Sequence, residues 1–304
     1  MANFSVPFLA LCACLLFGGP LYVSAWGQEG HQVIAQLADN MLSDVARPQV
    51  YALMDPGQTL VEISTWPDDY SHSSQGSWSG CLHYANIPQP EPLYNKSDCT
   101  TVDGVPNCCV IASIYNYTAI LENGTSTAEA MEVASLTGEP TPLSFLVHFV
   151  GDIHQPLHAG FDCDEGGTKV DVVLKGYSQS LHSAWDSGII DNYNKNYASF
   201  AKELQGTIDS NPKISKMYTL YMKPEIWADE SYNNYVRHVV YDFSTGLHNN
   251  HTGNPVIYPA GQGCPIKGVQ TLPNDYQTRN IEAVKQRLMA GGIRLATLLN
   301  SIFQ

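Results

Sequence analysis

Residues 148–158 read HFVGDIHQPLH, which sets His148, Asp152, His154 and His158 in an otherwise apolar run. Residues four apart on a helix share a face, so His148 and Asp152 present an imidazole and a carboxylate to one point. The stretch LHSAWD repeats the device with His182 and Asp186. Upstream, STWPDDY offers Asp68 or Asp69, CLHYANIP offers His83, and WGQEGH offers His31. Ionisable groups are costly to bury alone and are normally paired or metal-bound. A donor pool of imidazole and carboxylate without cysteine suits a water-bearing catalytic metal such as zinc better than a closed structural site. His72, His154, His238, His248 and His251 are read as ordinary core or surface histidines.

Several elements must position these groups. Apolar residues recur at helical spacing over residues 31–42, so His31 opens an amphipathic helix. Thr141 as N-cap and Pro142 at the first helical position begin the helix that carries His148 and Asp152. Pro156 stops it and leaves His158 just beyond its end. Further helices are expected over residues 110–121, 182–190, 197–204, 232–243 and 281–302, and a strand over 170–174 with a hairpin at Gly176. Residues 71–80 and 88–106 read as loops pinned by disulfides. The expected class is mainly α: one compact helical domain with a short β-hairpin, and no linker that would divide it.

Asp and Glu outnumber Lys and Arg by 29 to 15 among 304 residues, so side chains alone supply no basic face for a polyanion. Positive charge for such a substrate would have to come from elsewhere, and metal ions are one source. Residues 1–25 carry no charged side chain and end in Val23-Ser24-Ala25, a pattern expected of a signal peptide that is removed. The secreted domain would then span residues 26–304, and the new α-amine of Trp26 could chelate a metal together with its own carbonyl. Cys81, Cys99, Cys108, Cys109, Cys163 and Cys264 remain, an even number suited to disulfides whose pairing the sequence leaves open. Asn95, Asn116, Asn123 and Asn250 head glycosylation sequons. No later segment is apolar for long enough to span a bilayer.

In order and spacing, WPD, LHY, HFVGDIHQPLH, DEGGTKVDV, LHSAWD and the closing AGGIRLATLLN resemble the secreted, zinc-dependent class I nucleases of fungi, plants and protists. The resemblance covers nearly all of residues 26–304. It implies a mainly α-helical fold related to zinc-dependent phospholipase C, with single-stranded RNA and DNA as substrates, 5'-phosphate products, and removal of 3'-phosphate from nucleotides.

Three zinc ions are implied. One would be held by Asp68, His83, His148 and Asp152, and its neighbour by the Trp26 amine and carbonyl, His31 and a bridging Asp152. The third would take His158, His182 and Asp186. Asp68 and Asp152 are the expected catalytic carboxylates, and a hydroxide held between paired ions would attack phosphorus.

Two departures accompany the match. Ser71 stands where the family places a phosphate-holding arginine, and Tyr84 and Asn86 stand where it places a base-stacking phenylalanine and a base-binding aspartate. Tyr84 can still stack, and Asn86, which both donates and accepts, is expected to change base preference. A monomer is expected. The alternatives are a phospholipase C-type phosphodiesterase, for which the sequence offers no clear interfacial helix, and a non-catalytic zinc-binding homologue.

Overall fold

The computed structural model describes residues 26–88, 91–124, 139–243 and 266–304. The expected leader, His248, Asn250, His251 and Cys264 lie outside the described residues. The chain is mainly helical: α1 (Gln28–Asn40), α2 (Ala46–Tyr51), α3 (Leu60–Ile63), α4 (Trp66–Ser71), α5 (Val110–Asn123) and α6 (Pro142–Asp152) come first. Helix α7 starts as Leu181–Ser183, widens into a π-helical Ala184–Gly188 and ends as Ile189–Asp191. It is followed by α8 (Tyr197–Ser210), α9 (Pro212–Thr219), α10 (Pro224–Glu230, continuing as π-helical Ser231–Val240) and α11 (Tyr276–Ile302).

Helix α6 begins as its sequence requires: the Thr141 hydroxyl accepts from Ser144 N at 3.2 Å, and Pro142 occupies the first turn. Every residue from Leu143 to Asp152 is buried, so α6 is a central helix whose polar groups must find partners inside the protein. It ends at Asp152, earlier than Pro156 alone demands. Pro156 instead holds Gln155 extended, with φ −79° and ψ 119°, and opens the 3-10 turn Pro156–Ala159 that carries His158.

Helix α11 lies along α1. The AGGIRL motif explains the close approach: a Cβ at Gly292 would fall 2.5 Å from Leu37 Cβ, and one at Gly291 2.9 Å from Ile34 Cδ1. On the adjoining face of α11, Arg287 and Arg294 are each 1% exposed. Arg294 grips Glu230 with two bonds of 2.7 Å, and Arg287 reaches the same carboxylate at 3.2 Å. His154 joins them as a buried structural histidine: its Nδ1–H donates to Val150 O at 2.7 Å, and Nε2 accepts from Arg294 at 3.0 Å. This network clamps the turn that leads from Asp152 to His158.

The expected hairpin is present, with β1 (Asp171–Leu174) antiparallel to β2 (Tyr177–Ser180). Its two-residue turn, Lys175 and Gly176, has φ of 52° and 88°, as a type I′ turn demands. A short strand absent from the sequence reading, β3 (Gln270–Thr271), pairs parallel to β1. Residues 71–80 are more ordered than the expected loop, because Ser71 closes α4 and a 3-10 helix runs Ser77–His83. Disulfides join Cys81 to Cys108 and Cys99 to Cys109, anchoring that 3-10 helix to the start of α5. Cys163 is disulfide-bonded as well.

Two buried arginines share the Glu230 carboxylate, which generates a stability prediction. Glu230→Ala should cost about 3–5 kcal/mol by leaving both guanidinium groups unmatched. Denaturant unfolding at fixed metal concentration measures this, and a loss under 1 kcal/mol would contradict it.

Candidate metal centre

Two groups of buried imidazoles and carboxylates lie side by side. The first gathers His31 from α1, Asp68 from α4, His83 from the end of its 3-10 helix, and His148 and Asp152 from α6. His148 Nε2 stands 3.3 Å from Asp68 Oδ1, 3.4 Å from Asp152 Oδ2 and 3.0 Å from His83 Nδ1. Asp152 faces both ways: Oδ2 is 3.1 Å from His83 Nδ1, while Oδ1 is 3.3 Å from His31 Nε2. The His31 and His148 rings stack at 3.9 Å. Gly151 makes room for this, since a Cβ there would fall 2.6 Å from His31 Nδ1.

The second group is His158, His182 and Asp186. A Ser180 N-cap bond to Ser183 N at 3.0 Å starts the helix that carries the last two. His158 Nε2 and His182 Nε2 are 3.1 Å apart, and Asp186 Oδ2 lies 3.5 Å from His182 Nε2. The two groups are coupled through the backbone, because His158 Nδ1 bonds His83 O at 2.7 Å while Ala85 N donates to His158 O at 2.7 Å.

The proton positions follow from the partners. A carbonyl oxygen only accepts, so the rings of His148, His158 and His182 must donate from Nδ1 to Ser64 O, His83 O and Gly166 O. In the neutral ring each Nε2 then carries the remaining lone pair, turned into its group. Burial pushes the His182 imidazole down to about 3, with His158 adding to the shift, and burial also lowers His158, so both rings are neutral. Two lone pairs 3.1 Å apart repel unless a cation lies between them. Donors on a tetrahedral zinc are about 3.3 Å from one another, close to the separation seen here.

The first group demands positive charge in the same way. Burial alone would raise Asp152 and Asp68, but His148 and the other histidines outweigh it and hold both well below the carboxylate range. Burial likewise opposes charging His148, yet Asp152 and Asp68 raise it to about 9. His31 is lowered to about 4 by burial and by His148. Both ring nitrogens of His31, His83 Nε2 and both Asp152 oxygens are buried without a hydrogen-bond partner. These donors fit metal ions, and the Nδ1–H bonds to carbonyls are what orient metal-ligating histidines.

Trp26 is fully buried, and Gly27 N donates to Asp186 O at 2.9 Å, which sets the start of the described chain against the second group. A cleft of 380 Å³ opens beside the groups, lined in part by Ser71, His72, Tyr84, His83 and His158. Tyr84 is 38% exposed and its hydroxyl is raised by burial and by Glu165 and Asp162. The Ser71 hydroxyl donates back to Asp68 O at 2.9 Å. Asn86 is half-buried next to the loop at Gly166, and Asp69 is not among the grouped donors.

Gln155 is a contributor that the sequence reading passed over, though it sits inside the HQPLH motif. It is fully buried, its Nε2 donates to Asp186 Oδ1 at 2.6 Å, and its Oε1 accepts from Leu157 N at 2.6 Å. One amide therefore orients Asp186 and the turn bearing His158. Burial raises Asp186 well above the ordinary carboxylate value, with Asp68 and Asp152 adding to the shift and the Gln155 bond opposing it.

Comparison with known proteins agrees with this geometry. The family model described as S1/P1 Nuclease matches residues 26–304. Endonuclease 2 of Arabidopsis thaliana is 32% identical over 309 positions, covering 98% of this chain and 97% of its own. Nuclease P1 of Penicillium citrinum is 29% identical over 300 positions, covering 91% and 97%. Nuclease S1 of Aspergillus oryzae is 28% identical over 211 positions, covering 67% of each chain.

Gln155→Ala should weaken metal binding at His158, His182 and Asp186 about 10–100-fold, the usual cost of losing an outer-shell partner. Competition against a chromophoric chelator reads this directly, and an affinity equal to wild type would show that Asp186 needs no such support.

Proposed function

The chain belongs to the S1/P1 nuclease family, and on that premise we propose that it is a secreted, zinc-dependent endonuclease cleaving single-stranded RNA and DNA to 5'-phosphate ends, with 3'-nucleotidase activity. The observation that carries the metal dependence is the pair of neutral Nε2 lone pairs of His158 and His182, 3.1 Å apart, beside Asp186. Nitrogen and carboxylate oxygen donors without sulfur favour zinc.

In this reading His31, Asp68, His83, His148 and Asp152 would hold two ions, with the Trp26 amine and carbonyl as further donors on the His31 side. His158, His182 and Asp186 hold the third. Bound there, the ions supply an activated water and charge to offset the phosphoryl oxygens. Asp68 and Asp152 are the carboxylates that would place those ions. Tyr84, exposed at the cleft, stacks on a base, and Asn86 contacts a base edge with a preference that differs from that of an aspartate.

The N-terminal role of Trp26 requires removal of residues 1–25, and the family match beginning at residue 26 supports that boundary. Among the described residues no helix is long and apolar enough to cross a membrane. Met217, Leu220 and Tyr221 form an exposed apolar stretch, but none of them lines the cleft, so a lipid phosphodiester is the weaker reading.

Two outcomes are expected. Chelation should abolish cleavage of single-stranded RNA and DNA, zinc should restore it, and labelled product ends should carry 5'-phosphate; Asp152→Asn should be at least about 1,000-fold slower. Chelator-resistant cleavage, or products ending in 3'-phosphate, would refute the mechanism, and a zinc-loaded protein inert on nucleic acid would direct the search to phospholipids or to a non-catalytic role. Retaining one residue before Trp26 should sharply reduce zinc content at the His31 side of the first group. Mass spectrometry of the intact N-terminus together with metal analysis checks this, and unchanged stoichiometry would rule the amine out as a ligand.

A further inference from the structure

We propose that Asp164 is a positioning residue for the second group: its carboxylate pins the turn at residues 165–167, whose carbonyls set the direction in which His182 points. The inference deepens the reading above, and of that reading it needs only a metal ion held by His158, His182 and Asp186.

Asp164 is a buried carboxylate, 1% exposed, that belongs to neither group of donors. A group so costly to bury must be matched inside the protein. Oδ1 accepts from Gly167 N at 2.8 Å, and Oδ2 accepts from the Tyr241 hydroxyl at 2.6 Å. Tyr241 lies against the same turn, since a Cβ at Gly167 would fall 3.4 Å from its hydroxyl oxygen. The turn is one that the chain resists: Glu165, Gly166 and Gly167 have φ of 52°, 60° and 79°, three successive residues in the left-handed region. Glycine enters that region at little steric cost, whereas glutamate does not. Such a backbone persists where its surroundings over-determine it.

Both carbonyls of the glycine pair are spent on His182, whose Nδ1 donates to Gly166 O at 2.6 Å and whose backbone N donates to Gly167 O at 3.3 Å. Gly166 O and Gly167 N belong to one planar peptide unit. Asp164 takes the N–H of that plane and His182 takes its C=O, so the carboxylate fixes the acceptor of the imidazole through a single rigid group. With Asp164 removed, the plane can rotate about its flanking bonds, where glycine on both sides offers the least resistance. Rotation would carry Gly166 O with it, turn the ring, and move His182 Nε2 from its place 3.1 Å from His158 Nε2 and 3.5 Å from Asp186 Oδ2. Holding the ring from its far nitrogen in this way is how the surroundings of a metal-ligating histidine set its aim.

The test compares wild type with Asp164→Ala, Asp164→Asn and Tyr241→Phe. Zinc affinity is read by competition against a chromophoric chelator, and the His182 ring N–H by NMR of the zinc-loaded protein, assigned by its absence in His182→Ala. Asp164→Ala should weaken the ion at the second group about tenfold, with ions at the first group changed by less than about twofold and the His182 N–H exchanging faster with water. Asp164→Asn keeps an oxygen that can accept from Gly167 N and should recover most of the affinity. Tyr241→Phe removes one of the two side-chain bonds to Asp164 and should weaken the same ion about threefold, which carries the test where the Ala variant does not fold. Wild-type affinity at the second group in Asp164→Ala, or in Tyr241→Phe where that variant must stand in, would overturn the proposal. So would equal weakening at both groups, or an Asn variant as poor as Ala. None of these readouts needs turnover, so a zinc-loaded wild type inert on single-stranded nucleic acid would remove the nuclease reading and leave this one standing, whereas a protein that binds no metal would overturn both.

Discussion

The structure turns on one electrostatic constraint: lone pairs of like character are held close together where water cannot separate them. His148, His158 and His182 each spend Nδ1–H on a backbone carbonyl, so each ring faces inward with an acceptor. Around them Asp68, Asp152 and Asp186 are all nearly or fully buried. Imidazole acceptors and carboxylates in such proximity are unfavourable unless positive charge is shared among them. In the protein alone, His148 meets part of that demand by binding a proton more tightly. Divalent ions satisfy it more fully, and the family to which the chain belongs is one of nucleases.

Holding such groups in place requires rigidity that the cluster cannot supply for itself. Glycines 291 and 292 let α11 lie close against α1, which fixes His31, and Gly151 lets His31 lie flat against His148. Arg287, Arg294, Glu230 and His154 clamp the turn after α6, and Gln155 passes that order on to Asp186 and to the turn of His158. Cys81–Cys108 fastens the 3-10 helix that ends in His83. The clustered imidazoles and carboxylates come from elements far apart in sequence, and each has its own support in the core.

Much of this was legible in the residues. The i,i+4 spacing of His148 with Asp152 and of His182 with Asp186 placed each pair on one helical face, and Thr141-Pro142 marked the start of α6. Local signals of this kind depend on neighbours in sequence. What escaped depends on neighbours in space. The role of Gln155 needs Asp186, 31 residues away, and the cysteine pairing needs the folded loops. The two-residue β3 is too short for alternation to register. Residues 71–80 look loop-like in composition, yet Ser71, Ser73 and Ser79 turn their hydroxyls onto carbonyls three residues back and so sustain helical turns.

An acidic chain that handles a polyanion must separate its global charge from its local field. With a formal charge of −14, the protein repels nucleic acid at long range. Four of its five arginines do little to offset this, because Arg47, Arg279, Arg287 and Arg294 are engaged with carboxylates of the protein itself. Among the described residues, the cleft wall carries neither lysine nor arginine. Attraction must therefore arise within the cleft, from charge gathered by the buried histidines and carboxylates, where low surrounding polarity strengthens it and keeps salt from screening it. A strand of nucleic acid would then be held firmly only where its backbone can approach those groups.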